Sequence, residues 1–561
     1  MPTNSSSEPD LSDLPDLSDL PETPDTTGAY PRLTDEQIAL LSRYGERKRL
    51  PQGSTLFCEG DRDCGLFVVL DGKVRVVQED TAEAEPRVIA VHARGRFVGD
   101  LSMLTGQAVY VTAIAHTDVE VLEVPYDRLK EAVAQDRLLG DLILRAFVLR
   151  RNIHADLGAG LRIIGSRFSV ETRLLRDFAS RNRVPYRWED LEDDPEAEET
   201  LRAFDIPPDQ TPVVIWKGRT VLRNPSLEEL AELLGLREEA PPSEAHDVLV
   251  VGAGPAGLAA AVSAASEGLS TVVLDAIATG GQAGTSSQIE NYLGFPAGVS
   301  GAELADRAVV QARKFGASFT IPGDAQSLDH VDGHFVVRLA DGASVEAYTV
   351  VLATGVRYRR LDVPGMDRLE GPSVYYAATE FEARLCRGDP VAVVGGGNSA
   401  GQAALFLSRH AADVTLLIRH DDLNRDMSRY LADRIVSDPR VHVWRNCEVR
   451  ELRGDLSLEE VIVEDLKTGE RRSLSAKALF VLIGSEPHTQ WLNDAVSLDE
   501  KGFVLTGAGD GDSLTFETTR SGVFAVGDVR SNSVKRVASA VGDGAIAARL
   551  VYEFLVRAGR R

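Results

Sequence analysis

Two glycine patterns limit what this chain can fold into more than any other feature of it. The segment D-V-L-V-V-G-A-G-P-A-G-L-A-A-A (residues 247–261) places Gly252, Gly254 and Gly257 in G-x-G-x-x-G spacing directly after an apolar run. V-A-V-V-G-G-G-N-S-A-G (391–401) repeats the pattern with Gly395, Gly397 and Ala400. Each predicts a strand, a tight turn and a helix. The first glycine permits the turn, the second lets the backbone approach a pyrophosphate, and the third lets helix and strand pack closely. The helix N-terminus then faces the phosphate charge. Pro255 and Ala256 occupy the opening of the first helix, Asn398 and Ser399 that of the second. Two such units in one chain imply two dinucleotides.

The strands that follow distinguish the two sites. T-V-V-L-D ends at Asp275, 18 residues past Gly257, where a carboxylate suits ribose hydroxyls. V-T-L-L-I ends in Arg419-His420. A basic pair there favours the 2′-phosphate of NADPH over the bare hydroxyl of NADH, although Asp421 and Asp422 follow at once and pull the other way.

At 561 residues the chain has room for about three to four domains. Lys and Arg total 61 against 86 Asp and Glu, a formal charge of −25, which disfavours nucleic acid and anionic membrane as partners. Cys58, Cys64, Cys386 and Cys447 form no C-x-x-C and are too few for a disulfide scaffold. No metal site is expected. Residues 248–266 carry no charge for 19 positions, nominally enough to span a bilayer, but their Gly, Pro, Ser and Ala content predicts a buried strand and helix. The first residues have no basic start and no apolar stretch, so the expected location is the cytoplasm.

Upstream of the glycine patterns three segments differ in texture. Residues 1–32 are expected to be a disordered acidic tail. Seven acidic and no basic residues fall in 1–30, with D-L-S-D-L-P repeated over 10–21. Such a tail either solubilises or docks a partner. Residues 33–155 alternate short β-branched runs with turns such as Asp71-Gly72, predicting a β-roll flanked by helices, one capped by Thr34 and one spanning residues 126–148. This segment resembles a cyclic-nucleotide-binding domain through L-P-Q-G-S-T-L-F, F-V-V-L-D-G-K-V-R-V and R-F-V-G-D-L-S-M-L-T-G. The resemblance implies a ligand site at Gly99 and Asp100, with Asp100 at the acid that binds ribose. The Arg that binds the cyclic phosphate, nine positions on, is replaced by Val109. A buried phosphate needs a cation, so cyclic-nucleotide binding is expected to be weak or absent.

Residues 160–237 read as β-α-β-α-β-β-α and resemble a glutaredoxin or thioredoxin fold, with Thr211-Pro212 before the third strand, where the family has a cis bond. Phe168-Ser169-Val170-Glu171 stands where the redox C-x-x-C would open the first helix, so dithiol chemistry is excluded there. A linker at 240–245 leads into the second half of the chain.

That half, 247–561, resembles a small two-domain thioredoxin reductase. The carrying motifs are T-G-G-Q (279–282), I-E-N-Y-L-G-F-P (289–296), V-L-A-T-G (351–355), V-F-A-V-G-D-V (523–529) and K-R-V-A-S-A-V-G-D-G-A-I-A-A (535–548). The resemblance implies an FAD-binding domain over 247–363 and 484–561, interrupted by an NAD(P)-binding domain over 364–483. It carries FAD contacts onto Gly281, Gln282, Asn291, Thr354, Gly355, Asp528, Arg536, Val537 and Ala538, with Val537 standing where the family usually has Gln. A homodimer is also implied. The expected fold is therefore multidomain: a β-roll, an α/β thioredoxin-like unit and an α/β flavoprotein with two dinucleotide-binding domains.

One departure outweighs the matches. The family's dithiol, Y-C-A-T-C-D, is here Y-Y-A-A-T-E, with Tyr376 and Thr379 in place of both cysteines. Cys386, seven residues on, is read as a buried structural thiol. Hydride transfer from nicotinamide to flavin needs orientation, not acid–base side chains, and survives. The expected activity is an FAD-dependent NAD(P)H oxidoreductase whose acceptor is oxygen, a quinone or a one-electron carrier. The alternative is a sensor that relays flavin or nucleotide state through the β-roll. A transcription regulator is disfavoured, since no helix-turn-helix follows the roll.

Overall fold

Alternating burial along the strands of residues 46–124 is what an antiparallel roll requires: Lys73–Gln78 buries Val74, Val76 and Val77 and leaves the residues between half-buried. The computed structural model describes residues 20–78, 87–157, 160–216, 220–237, 245–286, 289–370, 372–376, 378, 380–507 and 515–560. The repeat at 10–21 and the linker at 240–245 therefore lie almost wholly outside the described residues. Two compact units emerge: residues 1–162 with 185–187 and 215–221, and residues 163–184, 188–214 and 222–561.

In the first unit, one antiparallel sheet orders Glu46–Leu50, Val119–Val124, Leu66–Asp71 and Phe97–Val98. The other orders Thr55–Phe57, Thr112–Ala115, Lys73–Gln78 and Arg87–Ala93. Gly72 turns between two strands at φ +80°, and a Cβ there would overlap Asp118 O. Thr34 caps the helix Asp35–Leu41 in a reciprocal box with Gln37, as expected.

Two expectations need correction. The single helix over 126–148 is two helices, Tyr126–Gln135 and Arg137–Leu157, parted at Asp136, whose backbone is extended and whose Oδ1 accepts from Leu139 N at 2.8 Å. An aspartate that competes for backbone donors ends one helix and starts the next. Residues 20–32 also do not belong to a disordered tail. Residues 20–32 lie along the roll: Thr23 N donates to Val91 O (3.1 Å), Val91 N donates to Thr23 Oγ1 (2.8 Å), Glu22 pairs with Arg96, and Ala29 and Tyr30 are buried. Backbone pairing and an ion pair hold a stretch too poor in apolar residues to announce itself.

The segment 160–237 runs strand Leu161–Gly165, helix Val170–Arg181, strand Tyr186–Asp190, helix Pro195–Ala203, strands Val213–Trp216 and Thr220–Arg223, and helix Leu227–Leu234. Sheet order is Tyr186–Asp190, Leu161–Gly165, Val213–Trp216, Thr220–Arg223. The Thr211-Pro212 bond is cis.

The second unit holds two larger sheets. The first orders Ser318–Thr320, Thr271–Leu274, His246–Val251, Ser344–Leu352, His334–Leu339 and Ala325–Val331, with Val523–Ala525 returning to pair in parallel with Ser344–Leu352. The other, Val374–Tyr375, Ala478–Val481, Pro390–Val394, Asp413–Leu417 and Val441–Trp444, is wholly parallel and is inserted before that return. An antiparallel ribbon of Val356–Tyr358 and Ser485–Pro487 carries the chain out and back. Residues 248–266 contribute to a strand and a helix, and no helix among the described residues is long and apolar enough to cross a membrane.

Candidate active site

Both glycine turns sit at the C-terminal ends of central parallel strands, where a doubly wound sheet opens a crevice. At the first, Gly252 has φ +109°, and a Cβ on it would overlap Ala353 O. A Cβ on Gly257 would overlap Gly252 O. Gly254 differs: its φ is an ordinary −73°, and a Cβ there meets only Gly281 Cα, at 3.9 Å. Open space therefore lies in front of Gly254, at the start of the helix Pro255–Ser266.

No side chain caps that helix, whereas Ser300 and Ser169 cap Gly301–Lys314 and Val170–Arg181. Its first-turn N–H groups are left for an anion. The second turn repeats this. Gly395 (φ +146°) would overlap Leu482 O if it bore a Cβ, Gly397 faces open space apart from Asp426 O at 3.8 Å, and Asn398–Leu407 is uncapped. Buried Ala400 packs beneath Gly395, and Ser399 is exposed.

Several distant residues close around the first turn. Gly280 N donates to Ala253 O (2.8 Å), which brings Gly281 beside Gly254. Gln282 Nε2 donates to Val356 O at 3.2 Å, and Thr354 Oγ1 to His488 O at 2.8 Å. Gly355 holds φ +63°. Gly527 packs so closely on Ala256 that its Cβ would lie 2.8 Å from that methyl, which sets Asp528 at the crevice, and burial raises the Asp528 carboxyl. The uncapped helix Val537–Arg557, entered through exposed Arg536 and followed by exposed Ala538, packs on Pro255–Ser266, where a Cβ on Gly544 would overlap Ala256 O. Asn291 is exposed.

Asp275 does more structural work than its sequence position suggests. Its Oδ2 accepts from Ala253 N (2.8 Å) and its Oδ1 from Ile277 N and Ala278 N (3.0 Å each), pinning the glycine turn to the strand end. A carboxylate has about four acceptor sites, so about one is left for a ribose hydroxyl. These residues fit the adenosine diphosphate half of FAD: a cradle that a Cβ would fill, uncapped N–H donors and a carboxylate at the strand end.

At the second turn, Asn398 Oδ1 accepts from Ser428 N (2.7 Å). Arg419 is largely exposed and only loosely engaged with Glu448, at 3.7 Å, while His420 Nδ1 lies 2.8 Å from Arg425 Nη1. A cationic edge thus stands at the end of Asp413–Leu417. These residues fit a nicotinamide dinucleotide.

Residues 246–544 match the family described as pyridine nucleotide-disulphide oxidoreductase. The chain belongs to that family. More narrowly, it is an oxidoreductase of the thioredoxin reductase family. A thioredoxin reductase of Treponema pallidum is 36% identical over 310 residues, 55% of this chain and 97% of that one. A 34.2 kDa protein in the rubredoxin operon of Clostridium pasteurianum is 32% identical over 309 residues, covering 55% and 97%. The crystal structure of T. acidophilum thioredoxin reductase superposes with a TM-score of 0.52 at 31% identity, covering 56% of this chain and all of that one. Residues 47–136 match the cyclic nucleotide-binding domain family.

Tyr376 occupies the place of a dithiol cysteine in this family resemblance; Thr379, the other, lies outside the described residues. The Tyr376 ring stacks on Tyr358 with centroids 6.2 Å apart and planes at 9°. Its hydroxyl donates to Glu370 Oε1 at 2.5 Å, and Arg360 Nη2 lies 2.8 Å from Glu370 Oε2. Burial first, then the hydrogen-bonded Glu370 carboxylate, push the Tyr376 phenol well above its usual range, so it stays protonated. Sequence reasoning missed Tyr358, Glu370 and Arg360, because nothing in their spacing links them to residue 376.

No thiol among the described residues takes over. Cys386 is 2% exposed within the apolar core of the second parallel sheet, its Sγ donating to Glu382 O at 3.2 Å, and burial pushes its pKa up to about 11. Cys447 is buried likewise, at about 11. Cys58 and Cys64 are unbridged, and burial with neighbouring acids pushes Cys64 up to about 12.

The expected β-roll site leaves little room. Gly99 takes φ +143°, and Asp100 is 2% exposed and faces Arg151 Nε (3.4 Å) and His154 Nδ1 (3.8 Å) from the helix Arg137–Leu157. Val109, His92 and Arg150 line a cavity of only about 10 Å³ beside it. That is room for about one water. Arg150 bonds Ala29 O and Gly99 O at 2.7 Å each, and Arg96 is engaged by Glu22.

Proposed function

We propose that this thioredoxin reductase-family oxidoreductase takes a hydride from NADPH onto FAD and delivers the electrons to an acceptor other than a protein disulfide. The observation that carries the reading is the Tyr376 cluster: a protonated phenol held by Glu370 and stacked on Tyr358 where a reactive thiol pair would be needed. A disulfide acceptor requires a thiolate to form a mixed disulfide, and a phenol cannot supply one.

FAD, when bound, supplies a centre that takes two electrons from a reduced nicotinamide and releases them singly or in pairs. The chain's part is positional. Gly254, Gly281 and the uncapped helix Pro255–Ser266 receive the pyrophosphate, Asp275 offers its remaining lone pair to the ribose, and Asp528 and the N-terminus of Val537–Arg557 hold the other half. Gly397 and Asn398–Leu407 receive the nicotinamide dinucleotide, and Arg419 and His420 favour a 2′-phosphate. The FAD domain is read as 247–363 with 484–561 and the NAD(P) domain as 364–483. The clostridial relative's name associates it with a rubredoxin operon, which supports a one-electron carrier as the acceptor class here.

Residues 160–237 are read as a glutaredoxin/thioredoxin-like module without a redox centre. Supporting this are the element order and the cis Thr211-Pro212 bond, with Pro212 and Thr172 packed against Gly165. Stopped-flow mixing with NADPH and NADH, followed by oxygen, quinone, rubredoxin-type and thioredoxin acceptors, tests the proposal. Flavin reduction with NADPH preference and turnover with a non-disulfide acceptor is expected; efficient thioredoxin turnover refutes it.

A further inference from the structure

The helix Val170–Arg181 belongs to a segment outside the family match, yet its residues reach both dinucleotide domains. At its end Asn182 Nδ2 donates to Ile277 O (2.9 Å), two residues past Asp275. Arg183, next in sequence, makes a mostly buried ion pair with Asp306 of the helix Gly301–Lys314. On the preceding turns Arg173 Nη1 donates to Glu370 O (2.9 Å), the residue that holds Tyr376. The helix therefore lies fastened at both ends, from the flavin ribose loop to the Tyr376 cluster.

Arg181 stands between these anchors. Its Nε bonds the Asp177 carboxylate one turn back (3.0 and 3.1 Å), which leaves the other donors of a five-donor guanidinium. Burial raises the Asp275 carboxyl; the three backbone bonds and then the Arg181 charge oppose the rise. The same cation acts on the buried Tyr358 phenol, beneath Tyr376. A pyrophosphate and a carboxylate brought together at the 252–278 turn repel each other unless a cation is near. The bond from Asn182 to Ile277 O brings its neighbour Arg181 to the Asp275 loop, so the 160–237 module carries a cation there.

We infer that this module completes the flavin site, with Arg181 as a positioning residue that holds the adenosine half of FAD at the Asp275 loop and Asn182 and Arg183 as the clamp that keeps it there. The inference rests on the reading of 252–282 as an FAD site. It assigns the module, which has no dithiol, a cofactor-retaining role in place of a redox one.

The test is the rate of flavin release from full-length holoprotein after dilution, followed by recovery of flavin fluorescence. Arg181→Gln is expected to release FAD about tenfold faster, through loss of the positive charge beside the Asp275 loop. Arg183→Ala, which breaks the clamp, is expected to move in the same direction. Arg181→Lys keeps the charge and should restore retention to within about twofold, a rescue that a purely structural role would not give. Arg202→Ala, on the exposed helix Pro195–Ala203, should leave release unchanged. Wild-type retention in Arg181→Gln overturns the inference, as does an equal loss in Arg181→Gln and Arg181→Lys. A wild-type protein that holds no flavin overturns the FAD reading itself, which is a different outcome from flavin-tight variants.

Discussion

Gly254→Val and Gly257→Val should fail in opposite ways, although only Pro255 and Ala256 separate them. Gly254 sits at φ −73°, ψ −178°, a conformation open to any residue, and a Cβ there touches only Gly281 Cα at 3.9 Å. The apoprotein should therefore tolerate the substitution, with a stability change of about ±1 kcal/mol, since replacing Gly at a compatible position also restricts the unfolded chain. The side chain fills the cradle in front of the helix Pro255–Ser266. Loss of two charge-assisted bonds to a pyrophosphate, about 1.5–3 kcal/mol each, lowers FAD affinity by roughly 10²–10⁴-fold. At Gly257 the new Cβ overlaps the Gly252 carbonyl oxygen, so backbone must move, at about 1–3 kcal/mol or more before any ligand is considered. The assay is flavin absorbance per chain together with thermal unfolding, compared with wild-type protein stripped of flavin. Gly254→Val should be colourless and melt with the stripped wild type; Gly257→Val should melt lower. A yellow Gly254→Val protein, or one that melts like Gly257→Val, would refute the assignment of the open cradle to a dinucleotide.

Other outcomes follow from burial and charge. Thioredoxin should not be turned over with NADPH, and Cys386→Ser should leave flavin reduction by NADPH unchanged; loss of a thioredoxin-dependent rate in that variant would make Cys386 a redox thiol. With thiol pKa values of about 11 to 12, Cys386, Cys447 and Cys64 should label more slowly than exposed Cys58 with iodoacetamide at pH 8, as read by peptide mass mapping. Burial holds His154 down to about 4, below its unfolded value, so the unfolded β-roll binds the proton first. Stability is full above about pH 6.5 and falls as pH drops toward 4, by about 2 kcal/mol between pH 7 and 5, and His154→Asn should flatten that slope in denaturant titrations. Calorimetry with cAMP should show no micromolar binding, because Asp100 faces Arg151 and Val109 offers no charge.

What could be read before the fold was known follows from where backbone geometry dictates residue type. Gly252 and Gly257 are required by overlap with neighbouring carbonyls, so the glycine turns show themselves at fixed spacing. Gly72 was legible for the same local reason, and Thr34 as a helix cap from its place before the first helix. Contacts across long separations left no trace. Tyr358, on the strand Val356–Tyr358, meets Tyr376 beyond the end of Val374–Tyr375, and Asn182 reaches Ile277 across 95 positions. Residues 20–32 share the acidic composition of the tail yet are held by backbone pairing to Arg87–Ala93, which composition cannot reveal. Asp136 carried a readable signal, an N-cap residue inside a helical pattern, that amphipathicity outweighed.

The return of Val523–Ala525 to the edge of Ser344–Leu352 has a consequence for how the molecule is made. Val350 finds its partner Val523 only after the entire parallel sheet of 374–481 has been synthesised. The inserted sheet contains all of its own strands and has no such wait. During synthesis the inserted sheet can close first, while the sheet built on His246–Val251 and Ser344–Leu352 stays open until its last strand, the Asp528 turn and the helix Val537–Arg557 emerge. On the proposed reading, flavin capture is then among the final events of folding, and colour in a growing or truncated chain would report that its far end has been reached and seated.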